Sequence, residues 1–281
     1  MKRNKSFDGS APLLYLVATP IGNLSEISKR ALDVFNEVDI VAAEDTRNTY
    51  QLLSHYGIKK ELFSLREHNE VEASEHIIKL LKTGKKVAYV SDAGYPGISD
   101  PGYLLVKAAI KANVAVSTIS GSSAFINALV ASGLPTNHFY FFGFLSKKGN
   151  EARTSLESLK EREETLIFYE SPHHIKETIV LLNDVFGNRE AVIARELTKI
   201  NEEYIRGTLD ELTTIDFTTL KGEMVILVFG NDKVNETDDQ IIVERLKFIL
   251  SKGVSKKVAT EIVVDELKAP KNKVYKIAQD L

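Results

Sequence analysis

From residue 13 to residue 119 the chain alternates short apolar runs with stretches of helical spacing. The runs are Leu13–Ala18, Val38–Ala43, Leu62–Leu65, Val87–Ser91 and Ala115–Ile119. Between them lie Ser28–Phe35, Asn48–Tyr56, Glu72–Thr83 and a helical segment that opens at Tyr103. Most of the runs lack the every-second-residue polarity of a half-solvated strand, as expected where both faces of a sheet are covered. Such alternation predicts an α/β fold: a mostly parallel sheet, helices on both faces, right-handed crossovers. In open sheets of this kind ligands bind beyond the carboxyl ends of the strands.

One of those strand-end loops stands out. Ser91–Gly102 carries three glycines and two prolines, where an ordinary connection of this type runs to about 2–6 residues. Glycine lets the backbone approach a ligand and take positive φ; proline stiffens it and removes a donor. The loop is predicted to be a pre-shaped cradle made mainly of main chain. Thr19–Leu24, Ala43–Arg47, Arg66–Asn69, Ser120–Ala124, Tyr169–His174, Arg195–Lys199 and Lys221–Met224 also sit at strand ends and mix small hydroxyls, glycine and a few charges. If two sheets face each other, these loops line one interdomain cleft.

The alternation breaks at Gly133-Leu134-Pro135-Thr136-Asn137, which places a domain boundary near 133–138. Beyond it, strands are predicted at Phe139–Phe144, Thr165–Tyr169 and Ala191–Ala194, with helices over Glu151–Arg162 and Ile175–Phe186. Glu203–Arg206 and Glu223–Phe229 read as strands paired with each other. Residues 238–250 and 255–280 read as two helices, the second interrupted at Pro270. The expected division is a flexible tail over 1–12, α/β domains over 13–135 and 136–232, and a basic helical extension over 236–281.

At 281 residues the chain is long enough for two such domains. It has no cysteine, which excludes disulfides, thiolate metal sites and cysteine nucleophiles and fits a reducing cytoplasm. No apolar run approaches the ~20 residues of a membrane span. Net charge is −3, unevenly spread: residues 241–281 hold nine Lys/Arg against five Asp/Glu. A basic end on an acidic body is a docking surface for phosphate, or a solvated helical face. No two of the 16 glycines are separated by a single residue, so a Gly-x-Gly dinucleotide turn is absent, as is a Walker A lysine loop. His173 and His174 are adjacent, which does not place them on one helix face, and no metal site is expected.

Six segments, in order, carry a resemblance: Leu14–Leu24, Ala42–Arg47, Ser91–Gly102, Phe168–His173, Ala194–Lys199 and Lys221–Val225. Together they resemble the tetrapyrrole methylase superfamily, and most of all its branch that modifies small-subunit ribosomal RNA. The likeness covers about residues 13–230. It implies two α/β domains with S-adenosylmethionine in the cleft between them. Pro20, Asp92, Tyr95, Pro96 and Gly97 would cradle that cofactor. Ser122, Ser123 and Ala124 would contact its ribose or methionine part. Tyr169, Glu170, Gly222, Glu223 and Met224 would approach from the adenine side. The implied activity is 2′-O-methylation of a cytidine ribose in 16S rRNA, by a homodimer acting on RNA or the small ribosomal subunit. Two departures stand out. His174 occupies the place of a usual Arg, which removes any phosphate contact assigned there, and Ser120 replaces a Pro.

A ribose hydroxyl is a weak nucleophile and needs a base or a stabilising cation. Candidates in the RNA-facing loops are Glu44, Asp45, Arg47, Glu67 and His68, with Glu44, Asp45 and Arg47 favoured because acid and cation fall within four residues at a strand end. The competing reading is that Asp45 caps the next helix and Arg47 pairs with it. Asn23, His68 and Lys199 would touch RNA. Lys252, Lys256, Lys257, Lys271, Lys273 and Lys276 would attract it without regard to sequence. A tetrapyrrole substrate is the alternative within the fold, disfavoured by Thr19-Pro20-Ile21-Gly22-Asn23 in place of repeated glycines. A non-catalytic nucleotide-binding module is a further reading, as is a protein partner for the tail.

Overall fold

The structure, a computed structural model, describes residues 5–6, 13–231, 239–267 and 269–281. The expected tail over 1–12 falls almost wholly outside the described residues, as does the junction at 232–238.

The first sheet is built from β1 (Leu13–Val17), β2 (Ile40–Ala43), β3 (Glu61–Ser64), β4 (Val87–Val90) and β5 (Ala115–Ile119). Its order is β3-β2-β4-β1-β5, and every pairing is parallel. All four residues of β2 and of β4 are buried, which is why their sequence is continuously apolar. The intervening helices are α1 (Lys29–Glu37), α2 (Thr46–His55), α3 (Glu70–Lys82) and α4 (Tyr103–Lys111), and α5 (Ala124–Ser132) follows β5. Successive strand residues feed opposite layers. Val41 and Ala43 pack with Phe35 and Leu53 of α1 and α2. Ala42 and Tyr89 pack with Ile77 and Leu105 of α3 and α4.

Strand order explains where the site lies. β1 and β4 are neighbours, yet the chain leaves β1 toward β2 on one side and leaves β4 toward β5 on the other. Their carboxyl ends diverge, which is the switch point that opens a crevice in an open parallel sheet.

The second sheet runs β6-β7-β10-β8-β9, from β6 (Phe139–Phe144), β7 (Thr165–Glu170), β8 (Glu190–Arg195), β9 (Glu203–Thr208) and β10 (Met224–Val228). Here the expectation that β9 pairs with β10 fails. β10 lies between β7 and β8, antiparallel to both, and β9 pairs with β8. Burial gives the reason: all five residues of β10 are buried, as a central strand requires, whereas none of β9 is. α6 spans Gly149–Glu157 rather than 151–162, and α7 spans Ile175–Phe186 as expected. A short α8 (Leu209–Leu212), closed by a Thr208–Glu211 capping box, follows β9.

The last three helices are α9 (Asp239–Leu250), α10 (Lys256–Leu267) and α11 (Lys271–Asp280). Pro270 sits at the N-cap of α11, so the interruption read at that residue divides two helices. They surround a core of their own that includes Ile242, Leu246, Val263 and Val274. Among the described residues no helix is long and apolar enough to cross a membrane.

Candidate functional site

The Ser91–Gly102 loop is held from several sides. Thr19, just past β1, exchanges backbone hydrogen bonds with Gly94 at 2.9 and 3.1 Å, which ties the two diverging strand ends together. The Tyr95 hydroxyl accepts from the Gly121 amide at 3.2 Å, joining the loop to the one after β5. At its far end the buried Glu70 of α3 accepts from the amides of Gly102 and Leu104 at 2.8 and 2.9 Å. That carboxylate caps α4, whose own N-cap residue has no side chain to do so. Tyr89 donates to the Pro101 carbonyl at 2.9 Å. Gly102 is obligatory here: its φ is 140°, and a Cβ would stand 3.0 Å from the Tyr89 ring and 3.1 Å from the Gly97 nitrogen.

These constraints shape one wall of a cavity of about 300 Å³ between the two sheets. From the first half, Glu44 after β2, Asp92, Tyr95 and Asp100 of the loop, and Ser123 and Ala124 at the start of α5 line it. From the second half come Tyr169 and Glu170 at the end of β7, Glu196 and Lys199 after β8, and Glu223 and Met224 at the start of β10. Mixed pairing makes this possible. Met224 is opposite both Glu170 and Arg195, so the amino end of β10 lies level with the carboxyl ends of its two neighbours. Ser99 and Glu196, both in the lining, hold φ of 62° and 51°, costly conformations that cluster at ligand clamps.

Of the residues predicted from sequence, Glu44, Asp92, Tyr95, Ser123, Ala124, Tyr169, Glu170, Lys199, Glu223 and Met224 meet in this cavity. Pro20, Pro96, Gly97, Ser122 and Gly222 belong to the same loops but do not line it. The Ser122 hydroxyl donates instead to Glu26 at 2.8 Å. Asp45 and Arg47 are also outside the lining. Asp45 is the N-cap of α2, accepting from the Arg47 amide at 2.8 Å, and its carboxylate is paired with the Arg47 guanidinium. That pairing holds the Asp45 carboxyl well below the usual carboxylate range, which leaves a poor proton acceptor. Asp45→Asn is therefore expected to retain methyl transfer, because asparagine caps as well as aspartate; a steady-state assay of that variant checks it.

Elsewhere, Asn23 caps a short 3-10 turn by accepting from Ser25, and His68 is exposed after β3. Lys252, Lys256, Lys257 and Lys271 are exposed, while Lys273 pairs with Asp239 at 2.7 Å.

The residue that sequence reasoning passed over is Asp100. It stands in the most conspicuous loop, but Asp-Pro reads as turn chemistry, and only the folded chain brings Glu44, Asp92 and Glu223 to line one cavity with it. Burial first, and then repulsion from Glu44, push its carboxyl up to about 7; the Ser91 hydroxyl opposes this, and Asp92 and Glu223 add to the rise. Burial also raises Glu44, against a hydrogen bond from the Asp92 amide. The lone lining lysine, Lys199, is engaged by Glu196 at 2.9 Å. The cavity is thus acidic, with apolar walls from Ile98, Tyr169, Met224 and Val225. S-adenosylmethionine, expected above, combines a sulfonium and an ammonium with an aromatic base, and the lining fits it.

The family described as tetrapyrrole (corrin/porphyrin) methylases matches residues 13–213. The ribosomal RNA small subunit methyltransferase I of Halalkalibacterium halodurans is 44% identical over 270 residues, covering 94% of this chain and 93% of that one. The protein of the same name from Bacillus subtilis is 41% identical over 284 residues, covering 98% and 97%. Among solved structures, the methyltransferase CobJ superposes with a TM-score of 0.60 at 17% identity, over 79% of this chain and 95% of that one. Diphthine synthase gives 0.57 at 16%, over 77% and 89%. These two share the fold.

Proposed function

The chain belongs to the tetrapyrrole (corrin/porphyrin) methylase family, and from that premise we propose that it methylates a cytidine 2′-hydroxyl of small-subunit (16S) ribosomal RNA with S-adenosylmethionine as donor. The observation that carries the chemistry is the acidic cavity at the switch point, where six carboxylates, Glu44, Asp92, Asp100, Glu170, Glu196 and Glu223, line one space whose single lysine is already engaged by Glu196. The RNA assignment is supported by relatives that are named for it and match this chain almost end to end.

Bound there, the donor supplies an electrophilic methyl on a sulfonium, whose departure leaves a neutral thioether. The protein's work is then to hold, to orient and to accept one proton. Asp92 and the backbone around Gly94 and Tyr95 would hold the charged part of the donor, and Tyr169, Met224 and Val225 would cover its aromatic part. Asp100, poised near neutrality, takes the hydroxyl proton at its carboxylate as the new C–O bond forms, and burial, reinforced by Glu44, keeps the Asp100 pKa high enough for that. The incubation of labelled donor and this protein with small subunits from an unmodified strain, followed by mapping of the modified ribose, tests the reading. Label found on a base, or on no RNA at all, defeats it.

The carboxyl-terminal region 241–281, with its nine Lys/Arg against five Asp/Glu, would hold the RNA backbone. The triple variant Lys256→Ala, Lys257→Ala, Lys271→Ala is expected to weaken RNA binding and to flatten its salt dependence by roughly 0.7 in log–log slope per lost phosphate contact. Filter binding across a salt series measures this, with donor titration as the control that should not move.

A further inference from the structure

A second cavity, of about 400 Å³, lies beside the first, and Phe144 and Glu170 line both. All of its lining comes from the stretch between Phe144 and Leu181, including Lys147, Ala152, His174 and Leu181 itself. None of the loops of the first half reaches it.

The two shared residues are chemically distinct from an ordinary partition. Phe144 is 53% exposed at the end of β6. Its ring meets Tyr169 edge-on at 5.4 Å between centroids, so it is propped in place while half of its surface stays open. An open aromatic ring followed closely by a lysine is how proteins stack an unpaired RNA base. Glu170 is only 8% exposed, yet it lines both spaces. Its Oε1 accepts from the Ser171 amide at 2.7 Å, and its Oε2 accepts from the Thr178 hydroxyl at 2.6 Å. A carboxylate oxygen has two acceptor positions, so Oε2 retains capacity for one more donor. An exocyclic amino group, such as N4 of cytosine, is the nucleobase donor that a carboxylate reads.

We propose that the second cavity receives the unstacked base of the target nucleotide, with Phe144 stacking on it and Glu170 accepting from its amino group. This rests on the ribose-methylation reading above. The connectivity of a nucleotide supports it: the base and the 2′-hydroxyl are carried by adjacent ribose carbons, C1′ and C2′. A base seated in the second cavity delivers its own 2′-hydroxyl to the wall shared with the cavity of Asp100. A base seated in the first cavity would displace the donor.

The test uses the full chain, unmodified small subunits, and cytidine 5′-monophosphate as the binding probe. Phe144→Ala removes the stacking surface. Leu181→Trp fills the cavity from α7. Each is compared with the wild type by donor calorimetry, methyl-transfer kinetics and saturation-transfer NMR of the probe. The expected result is a fall in kcat/KM for subunits of roughly 10- to 100-fold and loss of saturation at the cytosine protons in both variants, with donor affinity unchanged in Leu181→Trp, whose position lines the second cavity and not the first. Phe144→Tyr, which keeps the ring, should restore the kinetics and the NMR signal, so a folding defect in Leu181→Trp does not decide the matter. A donor affinity that weakens in both variants assigns the cavity to the donor and overturns the proposal. Unchanged kinetics and NMR overturn it as well. Wild-type protein that methylates no ribose defeats the parent reading, and this proposal with it, before any variant is compared.

Discussion

Asp100→Asn is expected to lower methyl transfer on the order of 10²- to 10⁴-fold, the usual contribution of a positioned base, while donor binding weakens far less. Asparagine keeps the shape and loses the proton acceptor. The pH profile distinguishes this from a packing effect. Asp100 is held near pH 7 by its half-buried position and by Glu44, Asp92 and Glu223, against the Ser91 hydroxyl. For the free enzyme, kcat/KM should rise with pH through about 7 as the carboxylate loses its proton. Under saturating donor the rise in kcat should move to lower pH, because a cation beside the carboxylate favours its charged form. The variant should show neither inflection. Stability gives an independent sign. A carboxyl with a raised native pKa contributes stability that is complete below the unfolded value, near 4, and is lost as pH rises through about 7. Asp100→Asn should therefore gain on the wild type above pH 7, by about 1–2 kcal/mol once solvent screening of the half-buried group is allowed for. Denaturant unfolding at pH 5 and pH 8 measures it. A pH-independent difference would remove Asp100 from this role.

Glu70→Ala should produce the largest loss of stability. It strands the amides of Gly102 and Leu104, both of which now donate to Glu70 Oε1. An unsatisfied buried amide costs about 1–3 kcal/mol; Gly102 is buried and Leu104 only partly so, so a loss of about 2–3 kcal/mol is expected for the pair. Since the same carboxylate fixes the end of the Ser91–Gly102 loop, donor affinity should fall as well, about tenfold for 1.4 kcal/mol passed to the site. Glu70→Gln retains an acceptor oxygen at the same place and should recover much of both. Equilibrium unfolding and calorimetry report the two effects separately. Affinity that is untouched in a destabilised Glu70→Ala would mean that the loop keeps its shape without this cap.

The contrast between Asp45 and Asp100 shows what a sequence can disclose. Strands such as β2 and β4 are legible because burial on both faces leaves an unbroken apolar run. The cradle was legible because glycine and proline in an over-long loop have few other uses. Pairing in the second sheet was not. β9 and β10 are consecutive strands; the unbroken apolar run of β10 marks it as central, but its residues do not tell that its neighbours are β7 and β8. Glu44 and Asp45 are neighbours with opposite fates: one lines the cavity, and the other caps α2. Asp100 was hidden for a different reason. The groups that raise its pKa come from Glu44, Asp92 and Glu223, and their proximity exists only after both sheets have formed.

The strand order also has a consequence for how the molecule is made. β1 leaves the ribosome well before its partners β4 and β5, so it waits for residues 87 to 119 before it can pair. Non-local pairing of this kind is slow and leaves apolar edges open meanwhile. The nascent amino-terminal half is thus the phase of synthesis most in need of protection, and the cavity between the two sheets cannot exist until the segment around Met224 has emerged.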